Sequence, residues 1–175
     1  TLQILKKRPD PILLVGVLAV LGLVVAAAGA QTQPPRIPIL LDTDIGTDID
    51  DAWALAYAIN SPTFELLGVT MSDADTASRA KLAAKLLHRA GRTDVPVAVG
   101  RATAAVPPDR YDFQFTRSED FSASRPVAQP AADFLADAIR KRPGQVTLVA
   151  VGPLQNIGDL LRMHPDVKRL VKRVV

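Results

Sequence analysis

Apolar residues fall into short continuous runs that alternate with stretches of helical spacing. Ile37-Pro38-Ile39-Leu40-Leu41 is an unbroken apolar run, the pattern of a buried strand. Ala52, Leu55, Ala56 and Ile59 then recur on one helical face, which predicts a helix from about Asp50 to Asn60, ended by Ser61-Pro62. Phe64 to Met71 reads as a second strand. Ala80, Ala83, Leu87 and Ala90 mark a second helix from about Asp75, closed by Gly91. Val95–Val99 reads as a third strand. Residues 100–130 lack periodicity and exceed an ordinary connection, so they are functional or mobile. Phe134, Leu135, Ala138 and Ile139 give a third helix, Val146–Val151 a fourth strand, Leu154–Met163 a fourth helix and Leu170–Val175 a fifth strand. Regular alternation of strand and helix, with no internal repeat, predicts an α/β fold: a mostly parallel sheet with helices on both faces. Ligands of such sheets bind at the carboxyl ends of the strands. Asp42 and Asp44 leave the first strand there, Ser72, Asp73 and Asp75 the second, and Val151 and Gly152 the fourth.

The first thirty residues are a different kind of segment. Lys6, Lys7 and Arg8 precede an uncharged run from Ile12 to Ala30 that ends in Ala28-Gly29-Ala30, the small-x-small pattern of a signal peptidase site. Residues 1–30 are expected to be a secretory signal peptide or, uncleaved, an N-terminal membrane anchor, and the remainder to be exported to the periplasm or the exterior. Residues 31–36 form a polar, proline-containing linker, and 37–175 the domain. The chain opens on Thr1 and stops in an apparent strand, so it reads as a fragment of a longer protein.

The formal charge of +3 owes much to that segment. Without Lys6, Lys7, Arg8 and Asp10, 18 bases face 17 acids, a net charge of +1 that gives no electrostatic reason to expect nucleic-acid binding. Lys168, Arg169, Lys172 and Arg173 cluster at a helix end, where bases are stabilising. With 48% hydrophobic and 22% charged residues the chain is neither disordered nor a coiled coil. The absence of cysteine excludes a disulfide scaffold, a thiol nucleophile, a cysteine-ligated zinc and a lipidated cysteine.

Asp42-Thr43-Asp44-Ile45-Gly46-Thr47-Asp48-Ile49-Asp50-Asp51 carries five carboxylates in ten residues directly behind a buried strand. Like charges so close repel, and burial raises the cost. A hard cation relieves both, and calcium takes six to eight oxygen ligands. An acidic surface turn with an N-cap is the plainer reading of the same residues. An EF-hand is excluded, because Gly46 falls at loop position five and Trp53 stands where the closing glutamate belongs.

The stretch from Leu41 to Ala52 resembles the N-terminal signature of the inosine-uridine preferring nucleoside hydrolase family. Weaker matches follow in order: Leu67-Gly68-Val69-Thr70 with Ala74-Asp75-Thr76, then Val95-Pro96-Val97 with Gly100, then Leu148-Val149-Ala150-Val151-Gly152-Pro153-Leu154-Gln155-Asn156-Ile157. The likeness runs from about Ile37 to Val175 and covers the N-terminal half or so of a family domain. It implies a Rossmann-like fold, incomplete at the C-terminus, and a calcium-dependent hydrolase that cleaves the N-glycosidic bond of nucleosides in purine or pyrimidine salvage. By the resemblance Asp44 and Asp51 would be calcium ligands, with the backbone carbonyl of Val151 as another. Asp44 would also take the proton of the attacking water. Asp50 would hold a ribose hydroxyl, Asp75 would lie near the sugar, and Asp42 would support the metal loop. Asp48 has no assigned role. The remaining metal ligand and the leaving-group residues lie further along in the family, so this piece is expected to be inactive alone. The partner is a nucleoside; a homo-oligomer is allowed for, and a membrane only through an uncleaved N-terminus.

Tyr111, Phe113 and Phe115 can stack on a base or pack beneath a loop. His88 is expected on an exposed helix face, His164 at a helix C-terminus, and Trp53 and Tyr57 packed together at i, i+4; Arg79 can reach the acidic edge, but a surface ion pair is the expectation. Two other functions fit parts of the pattern. A haloacid-dehalogenase-like phosphatase also places Asp-x-Asp after a buried strand, though it expects Thr or Val at Gly46 and leaves Asp50-Asp51 unexplained. The other is an exported, non-catalytic nucleoside- or ribose-binding protein.

Overall fold

Runs of β-branched and aliphatic residues become strands, and the amphipathic stretches between them become helices, in the order the periodicity predicts. The computed structural model describes residues 34–46, 48–103 and 120–175. Within the compact unit Pro35–Val175 the elements are β1 (Ile37–Thr43), α1 (Asp50–Asn60), β2 (Phe64–Met71), α2 (Thr76–Arg89), β3 (Val97–Val99), α3 (Ala131–Lys141), β4 (Thr147–Ala150), α4 (Gln155–Met163), a 3-10 turn (Pro165–Arg169) and β5 (Arg173–Val174). The expected segment 1–30 and the aromatic residues Tyr111, Phe113 and Phe115 lie outside the described residues.

The five strands form one sheet in the order β3-β2-β1-β4-β5, and every pairing is parallel. Side chains of β1 alternate between the faces. Ile39 and Leu41 join Leu55 and Ala58 of α1 and Ala80, Ala83 and Leu87 of α2 in one core. Leu40 joins Leu135 and Ile139 of α3, Leu148 of β4 and Leu160 of α4 in the other. The chain is thus an α/β fold with both sheet faces covered. Because β2 and β4 flank β1 on opposite sides, the strand order reverses there, and the crevice at the carboxyl ends of β1 and β4 is the topological switch point.

Several elements depart from expectation, and β3 and β4 are each two residues shorter, without Val95 and Pro96 in the one and without Val146 and Val151 in the other. β1 runs two residues further, through Asp42 and Thr43, both fully buried. The expected fifth strand shrinks to Arg173–Val174, because Pro165 starts a 3-10 turn that reaches Arg169. β2 carries an irregularity: Ile39 faces Leu66 but Leu40 faces Gly68, so Leu67 is an extra residue. The bulge shifts the alternation by one, which puts Leu66 and Val69 in the same core while Leu67 packs against the other.

At Gly68 the bare backbone admits the ring of Phe134 from α3; an added Cβ would stand 2.6 Å from its Cε1 and 3.3 Å from the Pro96 carbonyl oxygen. Gly68→Ala should lower stability by about 1–3 kcal/mol through overpacking. Denaturant titration of the Gly68→Ala/Phe134→Leu double variant should show a cost smaller than the sum of the single ones, since the two side chains compete for one space.

Candidate functional site

The carboxyl end of β1 is where the acidic run meets the sheet. Asp42 is still in the ladder, opposite Thr70 of β2 and Ala150 of β4. Its side chain is fully buried. Oδ1 accepts from the Thr70 hydroxyl and from Asn156 Nδ2 at 2.7 Å, whereas Oδ2 has no hydrogen-bond partner. Burial drives its pKa from 3.8 to about 6 against the pull of those two bonds. Asn156 comes from the first turn of α4 and also donates to the Met71 carbonyl at 2.9 Å.

Thr43, the last residue of β1, organises the turn that follows. Its hydroxyl donates to Asp51 Oδ1 at 2.5 Å and accepts from the Ile45 amide at 3.2 Å. Ile45 is fully buried and pins the loop to the core, and Gly46 takes φ 107°, which favours glycine. Asp50 and Asp51 form the first turn of α1, where the helix dipole favours negative charge. Asp51 is buried and Asp50 exposed. Burial raises Asp51 to about 6 despite the Thr43 bond, with Asp44 and Asp50 adding repulsion. Asp44 is half-buried and also raised by desolvation, which Arg79 partly offsets. Asp48 is exposed.

β4 delivers Val151 and Gly152 to the same edge. The Val151 amide donates to the Asp42 carbonyl at 2.9 Å. A Cβ on Gly152 would fall 2.5 Å from Ser72 Oγ and 2.8 Å from both the Asp44 amide nitrogen and Asp44 Oδ1, so only glycine lets the three strand exits close up. Ser72 Oγ is buried without a hydrogen-bond partner.

β2 ends in a strained turn. Asp73 (φ 64°) and Ala74 (φ 48°) are consecutive non-glycine residues in the left-handed region, a conformation that costs of order 1–3 kcal/mol per residue. Neighbours hold it there. The Asp73 amide donates to Gln155 Oε1 at 3.0 Å, Thr103 Oγ1 donates to Asp73 Oδ1 at 2.8 Å, and the Ala74 amide donates to that hydroxyl at 2.8 Å. Burial raises the Asp73 carboxyl, but the bonds from Thr103, Gln155 and the Ala74 amide hold it below the usual range. Asp75, two residues on, caps α2: its carboxylate accepts the Ser78 amide at 3.0 Å and the Ser78 hydroxyl at 2.6 Å, which lowers its pKa.

Arg79 departs from expectation. It is not in a surface pair but buried, at 2% exposure, beneath the acidic loop. Nη1 donates to the carbonyls of Asp44 and of Ile45 (3.0 Å), Nε donates to the Asp73 carbonyl at 2.9 Å, and Nη2 lies 3.8 Å from Asp73 Oδ2. The sequence held the signal, since Arg79 shares a helical face with Ala83 and Leu87. Asn156, Thr103 and Gln155 carried no comparable local mark. Tyr57 takes Phe64 as its ring neighbour, edge-on at 5.9 Å, and Trp53 is 70% exposed. His88 is exposed, its ring edge-on to Phe121 at 5.5 Å; His164 follows α4 with Nε2 2.7 Å from Asp133 Oδ1. Neither histidine contacts the acidic edge.

The fold therefore gathers Asp42, Asp44, Asp50, Asp51 and Val151 at the switch point, with Asp73 and Asp75 at the adjoining strand exit. Among the described residues no group of three or more acidic or histidine side chains is placed to hold a metal ion by itself. The donor chemistry nonetheless suits a hard cation: oxygen ligands alone, carboxylates whose pKa values are raised by burial, and a close approach possible only at Gly152.

An α/β sheet with an acidic cluster at its switch point defines the class. Residues 39–175 match the model of the family described as inosine-uridine preferring nucleoside hydrolase. The chain belongs to that family. It is 30% identical over 157 residues to the probable uridine nucleosidase 1 of Oryza sativa, covering 84% of this chain and 48% of that one. It is 37% identical over 150 residues to the non-specific ribonucleoside hydrolase RihC of Escherichia coli O127:H6, covering 80% and 48%. Among solved structures a plant nucleoside hydrolase superposes with a TM-score of 0.70 at 28% identity, covering 81% of this chain and 47% of the other. The chain spans about half the length of the curated relatives it matches.

The raised carboxyls fix the sign of a pH effect. Between about pH 4 and 6 the folded chain holds protons on Asp42 and Asp51 that the unfolded chain has released, so stability falls as pH rises. The lowered groups, Asp73 and Asp75, act below that window. In chelator, the calorimetric unfolding midpoint should drop from pH 4 to 6.5, and Asp51→Asn should flatten the slope.

Proposed function

We propose that the full-length protein hydrolyses the N-glycosidic bond of ribonucleosides in a calcium-dependent reaction. The observation that carries this reading is the acidic run Asp42–Asp51 at the switch point of a chain that matches the nucleoside hydrolase family over residues 39–175. RihC of Escherichia coli carries the name of a non-specific ribonucleoside hydrolase, which supports a ribonucleoside as the substrate class.

Asp44, Asp51 and the Val151 carbonyl are the oxygens that would hold calcium. When bound, the ion orients the sugar diol and makes a coordinated water more acidic. Asp44, half-buried and with its affinity for protons raised by desolvation, accepts the proton of the attacking water. The water oxygen forms a bond to the anomeric carbon as the bond from that carbon to the base nitrogen breaks, and the base leaves with the electron pair and takes up a proton. Asp50, exposed at the start of α1, accepts a hydrogen bond from a ribose hydroxyl. Asp75, whose carboxylate caps α2 through Ser78 beside the β2 exit, stands near the sugar on the same reading. Asp42 supports the loop from beneath, its Oδ1 held by Thr70 and Asn156. The surrounding negative charge favours the oxocarbenium character that builds on the ribose.

The buried Asp42 weighs against the phosphatase reading. A carboxylate that attacks phosphorus has to reach its substrate, and Asp42 is fully enclosed with Oδ1 engaged by two donors. Residues 1–30 support export, by cleavage or as an anchor. The 175-residue piece alone is inactive on this reading, which the chain's coverage of about half the length of its curated relatives supports.

Base release from uridine and inosine, followed with the full-length protein, tests the function. Turnover should stop in chelator and return with calcium. Asp44→Ala should lower kcat by about 10²–10⁴, the contribution of a positioned general base. Nucleoside binding without base release would show a non-catalytic binding protein instead, and activity confined to phosphate esters would show a phosphatase.

A further inference from the structure

A buried arginine beneath a loop of carboxylates calls for an explanation that packing does not give. Arg79 sits on the face of α2 that also presents Ala80, Ala83 and Leu87 to the core. An apolar side chain there would avoid the desolvation of a guanidinium, and buried charge is weak evidence for stability by itself. What arginine supplies is a rigid fork of donors. Three of its bonds reach backbone carbonyls, and those carbonyls belong to two different strand exits: Asp44 and Ile45 after β1, Asp73 after β2. A carbonyl bond fixes the course of the chain itself, beside the longer charge contact of Nη2 with Asp73 Oδ2 at 3.8 Å. The same fork lies within the field of Asp44, Asp51, Asp73 and Asp75.

The β2 exit needs such a hold. Asp73 and Ala74 occupy left-handed conformations that side chains resist. Thr103 and Gln155 brace the turn from the solvent side and Arg79 from the core side. With the bond from Thr43 to Asp51, the cluster is tied to the scaffold at both ends of the β1 loop.

We propose that Arg79 is a positioning residue that joins the β1 and β2 exits, holding Asp44 and Asp51 ready for a cation and the Asp73 turn fixed beside them. The proposal rests on the calcium reading of the previous section for its functional consequence, but the clasp itself is a property of the metal-free chain.

The test uses the full-length protein with Arg79→Lys, which keeps the charge and loses the fork, and Arg79→Met, which keeps the stem. In chelator, hydrogen exchange of amides in segments 44–51 and 73–76 should quicken at least about tenfold in both variants, while α3 and α4 stay as in the wild type. Calcium affinity by calorimetry should weaken about 10–100-fold, the usual cost of losing a group that orients ligands. At saturating calcium, kcat of Arg79→Lys should return to within a few-fold of wild type, a recovery that a merely packed side chain does not predict. Exchange and calcium affinity both within twofold of wild type in Arg79→Lys would overturn the proposal. Should both variants unfold in chelator and refold on calcium addition, the clasp stands; should they stay unfolded with calcium, Arg79 is a core group and the proposal fails. A wild-type protein that binds no calcium would remove the calcium reading, and the exchange measured in chelator would still decide whether Arg79 joins the two exits.

Discussion

Carboxylates crowded at the mouth of a parallel sheet repel one another, and the fold has to hold them in place before any ligand arrives. It does so with neutral donors and one buried cation. Thr70 and Asn156 grip Asp42, Thr43 grips Asp51, and Arg79 grips the backbone carbonyls of Asp44, Ile45 and Asp73, with a longer charge contact to the Asp73 carboxylate. Charge therefore stays concentrated. A site that neutralised each aspartate with its own lysine or arginine would be more comfortable and would have no remaining attraction for a cation. Burial is the main cause of the raised pKa values of Asp42, Asp44 and Asp51, and Arg79 offsets it only in part at Asp44 and Asp51.

The donors that achieve this come from far along the chain. Asn156 lies 114 residues from Asp42, and Gln155 82 residues from Asp73. Parallel pairing of β4 beside β1 makes those contacts, because it sets the first turn of α4 against the end of β1. The topology that puts a crevice at the switch point thus also supplies the groups that shape it. Gly152 is the steric condition, since the β4 exit cannot approach Asp44 and Ser72 so closely with a side chain.

Local information in the sequence reaches as far as local physics does. The apolar run at 37–41 and the five following aspartates mark both a buried strand and a charged edge without any knowledge of the fold, and the four described helices fall where apolar spacing predicts them. The register of β2 is not, because the extra residue at Leu67 is defined only by its partner strand. The fifth strand is shorter than its apolar residues predict for a similar reason: Leu170 and Val171 are apolar, but the turn started by Pro165 and the edge position leave only Arg173–Val174 in the ladder. The acidic residues of the site were visible as a cluster; their neutral partners Thr103, Gln155 and Asn156 were not, since nothing in a threonine or an amide announces a contact a hundred residues away.

Arg79 stands between those cases. Its spacing from Ala83 and Leu87 assigns it to the buried face, yet the general rule that arginines stay exposed unless paired argues for the surface. The conflict between periodicity and polarity was itself the signal. Where a helical pattern insists on burying a charge, the chain needs that charge against something that other elements bring, and here the acidic loop after β1 and the strained turn after β2 bring it. A residue that breaks a local rule for no local gain is where the sequence alone points most directly to the chemistry of the site.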